Sequence, residues 1–217
     1  MSNDSTELPV FPTSAPDVFD DRDVAPDLFS EVLDRLAAVI DVDDDQLDLP
    51  TPCAGFTVAE LRAHTLGWLE FFSAALSDPA DATARPDPDV FVLADGTPAS
   101  DIVRRALVNI RQAIATNDSD QLVTMSSSRM AADGVLGMAL GEYIIHAWDL
   151  AAATGHTYSA PASVVAPAHA FLEGMVAPEF RGPDSGFFDA EVAVSDDASP
   201  LDKLLGFAGR DPQWAPV

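Results

Sequence analysis

The 217-residue chain carries 36 acidic against 11 basic residues, a formal net charge of −25, yet 47% of it is hydrophobic. An apolar core wrapped in carboxylates follows, which excludes a disordered acidic chain and disfavours phosphate-bearing partners such as nucleic acid or an anionic membrane surface. With Lys203 the only lysine and Cys53 the only cysteine, the expectation is a salt-adapted cytoplasmic protein without internal disulfides.

The charge is spread along the chain. Residues 1–50 hold 14 acids and 2 bases, but residues 51–217 still hold 22 acids against 9 bases. Residues 1–25 combine Pro9, Pro12 and Pro16 with scattered Asp and read as an acidic, loose tail without the basic start and apolar run of a secretory signal.

From Pro26 a helical stripe follows through Leu28, Val32, Leu36 and Val39/Ile40, closed by the charged run 41–45. Thr57-Val-Ala-Glu60 matches a capping box and opens a second helix, whose stripe contains Leu61, His64, Trp68 and Phe71/Phe72. Asp78-Pro79 ends it, and a Pro/Asp-rich connection runs to residue 97. A third helix is expected over about 98–115, with Ile102, Ala106, Val108/Asn109 and Ala113 facing inward. The fourth and longest is expected over 133–154, stopped by Gly155. A fifth follows Pro161. Residues 186–194 alternate like a short strand or extended loop, and Ser199-Pro200-Leu-Asp202 opens a final short helix that Gly209 stops. The fold class expected is all-α: an up-down four-helix bundle over 26–180 with a C-terminal cap over 181–217.

The chemistry concentrates in the fourth helix. Glu142, His146 and Asp149 stand at i, i+4 and i+7 on one face, among Ile144, Ile145, Ala147, Trp148 and Leu150. No membrane span is expected of a stretch so interrupted. A buried carboxylate there needs a proton, a cation or a metal. His64, on the apolar stripe of the second helix, is the best further ligand. His64, Glu142 and His146 would form a His₂Glu set with an open position, the pattern of catalytic zinc and also of two-His-one-carboxylate iron. Asp149 would orient an imidazole from behind. A buried hydrogen-bond network without metal is the plainer alternative. Cys53 reads mainly as packing, and His156 and His169 lack such a context.

Pro50-Thr-Pro-Cys-Ala-Gly-Phe-Thr-Val58 with Leu61-Arg-Ala-His64, then His146-Ala-Trp-Asp-Leu-Ala-Ala-Ala-Thr-Gly155, then Gly186-Phe-Phe and Leu204-Leu-Gly-Phe-Ala-Gly-Arg-Asp-Pro212 carry a family resemblance. Over about residues 26–214 the chain resembles the mycothiol-dependent maleylpyruvate isomerase N-terminal family of the DinB-like superfamily, in its short metal-binding branch. The resemblance implies a DinB-like bundle holding a divalent metal, most often zinc, with nickel, iron or manganese as other candidates. Its ligand positions fall on His64, Glu142 and His146. It further implies a metal-dependent transferase or isomerase, passing a low-molecular-weight thiol to an electrophile. A non-catalytic metal-binding bundle is the alternative, and a homodimer is compatible with either.

Overall fold

A computed structural model describes residues 10, 23–83, 85–182 and 188–216. The expected tail over 1–25 therefore lies outside the described residues except for Val10 and residues 23–25, as do Gly186 and Phe187 of the third motif.

Helix α1 (Ala25–Ala37) starts with Pro26 in its first turn, where a missing N–H leaves no intrahelical partner unsatisfied. It buries Phe29, Val32, Leu33 and Leu36. Leu28, expected on the inner stripe, is only partly covered, while Val39 and Ile40 are buried beyond the helix end.

Helix α2 (Val58–Ser77) begins at the expected capping box. The Glu60 backbone N–H donates to Thr57 Oγ1 at 3.3 Å, and the Thr57 N–H donates to the Glu60 carboxylate at 2.8 Å. Leu61, Leu66, Leu69, Phe72 and Leu76 enter the core, whereas His64 and Trp68 lie at the margin of that face.

Helix α3 (Ala99–Thr116) buries Ile102, Val103, Ala106, Ile110 and Ala113. Val108, expected inside, is 67% exposed, and Asn109 is exposed beside it. The inward row runs 102–106–110–113, and residue 108 falls on the far side of it. A hairpin unforeseen in the sequence follows, pairing β1 (Leu122–Thr124) antiparallel with β2 (Arg129–Ala131), Val123 opposite Met130. Three-residue strands are too short to show a period of two.

Helix α4 (Ala132–Thr154) runs for 23 residues, about 35 Å at the usual rise. It is buried on nearly all sides, with Val135, Leu136, Leu140, Tyr143, Ile144 and Leu150 in the core. Gly155 stops it at φ +75°, a left-handed conformation that glycine adopts without strain.

Helices α1 to α4 form the bundle: α3 packs on α1 and α2, and α4 packs on both α1 and α2. Helix α5 (Ala162–Met175) covers α4, and a Cβ at Gly141 would come within 2.9 Å of Leu172. Small-residue contact at this point lets the two helices approach.

Helix α6 (Pro200–Phe207), opened by Ser199 accepting from the Asp202 N–H, packs on α5. The segment expected as strand or extended loop is extended without a ladder in its described part. It is held by an isolated bridge between Arg181 and Phe188 and by the Val192 N–H donating to Gly206 O at 2.9 Å. No helix of the described residues is long and apolar enough to cross a membrane.

Candidate metal centre

The capped start of α2 and the buried run of α4 bring three donor atoms together. His64 Nε2 lies 3.2 Å from Glu142 Oε1, and His146 Nε2 lies 3.1 Å from the same oxygen. All three donors are within 4.8 Å of one another. The two imidazole rings stand nearly perpendicular, at 89°, with centroids 5.3 Å apart. His146 is almost wholly buried, whereas the side chains of His64 and Glu142 keep 29% and 26% of their exposure. The cluster is thus closed behind and open on one side.

Glu142 Oε1 is itself buried, and no neighbour meets it with hydrogen-bond geometry despite the short distances. The two imidazoles pair with it as charges, at angles poor for a hydrogen bond, and a divalent ion would take the place of their protons. A tetrahedral ion with bonds of roughly 2.0–2.1 Å spaces its donors about 3.3 Å apart, close to the two separations here. Donor set and spacing both fit a divalent ion.

Behind the cluster, Asp149 Oδ2 lies 3.0 Å from His146 Nδ1. Accepting a hydrogen bond there keeps a proton on Nδ1, so that Nε2 is the nitrogen that would ligate once the ring is neutral. Asp149 is fully buried, and Arg210, only 6% exposed, pairs with both of its oxygens through Nε (3.3 Å) and Nη2 (3.2 Å). Arg210 Nη2 also donates to Cys53 Sγ at 2.9 Å.

The electrostatics follow from these contacts. Burial alone would lower the basicity of His146, but the Glu142 charge and the Asp149 hydrogen bond outweigh it and raise the group to about 9. Burial works against ionisation of Glu142 too, and His146 and His64 outweigh it, holding the carboxyl well below the usual range. For Cys53 burial prevails over the attraction of Arg210, and the thiol is pushed up to about 12.

Cys53, His146 and Asp149 form a second constellation of ligating types. The Arg210 cation contacts two of its three members, which makes it a poor seat for another cation. His156 instead meets Thr154 Oγ1 at 2.9 Å, and His169 on α5 sets its ring at a tilt to Phe207 of α6, centroids 5.3 Å apart; neither belongs to the cluster.

Arg210 is the residue that sequence reading missed. Its signal was available: a wholly buried Asp149 on an apolar helix needs a cationic partner, and bases are scarce in this chain. Phe56, 5.2 Å from the His64 ring, forms with Trp68 an aromatic wall beside the site that the sequence showed only as apolar residues.

A helical bundle with an inward-facing cluster of two histidines and a glutamate, drawn from two packed helices, is the class that fold and site define. The chain belongs to the family described as "Mycothiol maleylpyruvate isomerase N-terminal domain", whose model matches residues 29–151. Two uncharacterized proteins of Mycobacterium tuberculosis, MT0763 of strain CDC 1551 / Oshkosh and Rv0738 of strain ATCC 25618 / H37Rv, are each 30% identical to it over 178 residues. Those matches cover 82% of this chain and 92% of each relative. The crystal structure of the mycothiol-dependent maleylpyruvate isomerase is similar at 14% identity over 67% of each chain, with a TM-score of 0.45.

Proposed function

We infer that this protein is a divalent-metal-dependent enzyme that transfers a low-molecular-weight thiol to an electrophile, or isomerises a substrate through such a thiol. Zinc is the metal that the donor set suits best. The observation that carries this reading is the convergence of two imidazole nitrogens on Glu142 Oε1, a buried atom, at 3.1 and 3.2 Å.

His64, Glu142 and His146 would hold the ion. When bound, a divalent ion supplies Lewis acidity that favours thiolate over thiol near neutral pH. The chain's own groups do the rest. Asp149 accepts from His146 Nδ1 and so aims Nε2 into the cluster. Glu142 would supply the one anionic ligand, so a divalent ion held there would keep a net positive charge. Phe56 and Trp68 shield the His64 side from water, and the partial exposure of His64 and Glu142 leaves an approach for ligands. Cys53, its thiol kept protonated and bound to Arg210, does not compete as a nucleophile. Membership of a family named for a mycothiol-using isomerase supports a thiol as the small-molecule partner. The acidic surface supports a salt-rich cytoplasm as its setting.

Cobalt-substituted protein tests this reading. Addition of a candidate thiol is expected to change the visible cobalt spectrum, and metal-dependent adduct should accumulate once an electrophile is supplied. A cobalt spectrum indifferent to every thiol tried would refute the transferase reading and leave a non-catalytic metal-binding bundle.

A further inference from the structure

A cation reaches the back of the ligand cluster from the turn that follows α6. Gly209, at φ +83°, turns the backbone sharply after α6. The Arg210 N–H donates to Leu205 O at 2.8 Å and its Nη1 to Ala208 O at 3.0 Å, so the guanidinium is anchored to the end of α6. From that anchor it reaches two other elements. Nε and Nη2 meet Asp149 on α4, and Nη2 meets Cys53 in the turn leading to α2. That turn is itself fixed by Thr51 Oγ1, which bonds to Cys53 O at 3.0 Å and to Phe56 O at 2.9 Å. A single side chain therefore ties the C-terminal segment to α4 and to the turn that leads into α2.

Asp149 Oδ2 faces Arg210 Nη2 on one side and His146 Nδ1 on the other. Two-point pairing with a planar guanidinium fixes the plane of the carboxylate, and with it the direction from which Oδ2 can accept from Nδ1. The imidazole plane, and hence the aim of Nε2, follows. Lysine would preserve the charge and lose this planar fork.

Resting on the metal reading above, we propose that Arg210 is a positioning residue for the metal centre, coupling the docking of residues 200–210 to the aim of His146. The coupling is reciprocal: if the docked segment favours the metal, the metal favours the docked segment by the same factor.

Titration of metal-free protein with cobalt alone, in the wild type, Arg210→Lys and Arg210→Gln, tests the inference. Both variants are expected to bind cobalt at least about tenfold more weakly and with an altered ligand-field spectrum, the size of effect typical of groups that orient metal ligands. Arg210→Lys, which keeps the charge beside Asp149, is expected to lie closer to the wild type in urea stability than in cobalt spectrum. A merely structural ion pair would move the two readouts together. Hydrogen exchange on the wild type removes any dependence on the variants folding. Zinc should slow the amides of residues 205–210 by more than those of α3. Wild-type affinity and spectrum in both variants, or zinc-independent exchange over 205–210, would overturn the positioning role while leaving the metal centre intact. A wild type that binds no cobalt would instead overturn the metal reading, and this inference with it.

Discussion

His64 on α2 and Glu142 on α4 meet at 3.2 Å, nitrogen to oxygen, across the interface of two helices that share the bundle core. His146 reaches the same oxygen from one turn further along α4, so the glutamate stands between two imidazoles. The contact depends on two local features. The capping box fixes where α2 starts, and the largely apolar surroundings of Glu142 on α4 bury the helix that carries the acid.

Replacing Asp149 by asparagine removes the charge that pairs with a buried guanidinium and leaves only a neutral amide to meet His146 Nδ1. Such an uncompensated charge typically costs about 3–5 kcal/mol, to be read from urea unfolding of metal-free protein. In the fraction that folds, zinc affinity is expected to fall about 10–100-fold, measured by competition with a chromophoric chelator.

The pH dependence of the metal-free protein has a definite sign. His146 is raised in the fold to about 9 from an ordinary 6.5, so its contribution is complete below about pH 6.5 and is lost as pH climbs through 9. Glu142 is depressed, so its contribution is present above its ordinary value of 4.5 and disappears as pH falls toward its folded value. Stability should peak between those ordinary values and decline by on the order of 3 kcal/mol by about pH 10. Zinc must displace the His146 proton below pH 9. Its apparent affinity is therefore expected to rise by about tenfold per pH unit from pH 6 to 8, with proton release seen by calorimetry in buffers of differing ionisation enthalpy.

Much of the scaffold was legible because the signals were local. Thr57 and Glu60 marked the start of α2, Gly155 marked the end of α4, and the spacing of Glu142, His146 and Asp149 put them on one face. Joining His64 of α2 to that face rested on the burial expected of both helices, and the family resemblance then added to it. The unread part was non-local. Arg210 approaches Asp149 through a turn at Gly209, and no periodicity within α4 or α6 records that meeting. The hairpin 122–131 escaped for lack of length, and Val108 misled because its apolar side chain lies on the exposed side of α3.

Gly67, one residue before Trp68, is a place where the fold tolerates no side chain. A Cβ there would stand 2.6 Å from Pro88 O and 3.0 Å from Phe91 Cβ, because the 88–91 segment lies directly on α2. Gly67→Ala is expected to destabilise by about 1–3 kcal/mol in urea, since relief requires moving backbone. Loosening of 88–91 should show as faster hydrogen exchange confined to that segment and its α2 contact.

The net charge of −25 makes stability depend on salt. Raising KCl from 0.05 to about 2 M shortens the Debye length from over 10 Å to about 2–3 Å and suppresses repulsion among surface carboxylates. The melting temperature is expected to rise steadily over that range. A flat or falling melting temperature would remove the basis for a salt-rich setting.

The metal centre itself is tested most directly by elemental analysis of protein purified without added metal, beside the His64→Ala/His146→Ala double variant. About one equivalent of a divalent ion, zinc foremost, is expected in the wild type and essentially none in the folded double variant. A metal-free wild type that also fails to take up zinc when it is offered would contradict the assignment, and would reduce His64, Glu142 and His146 to a polar cluster between two helices.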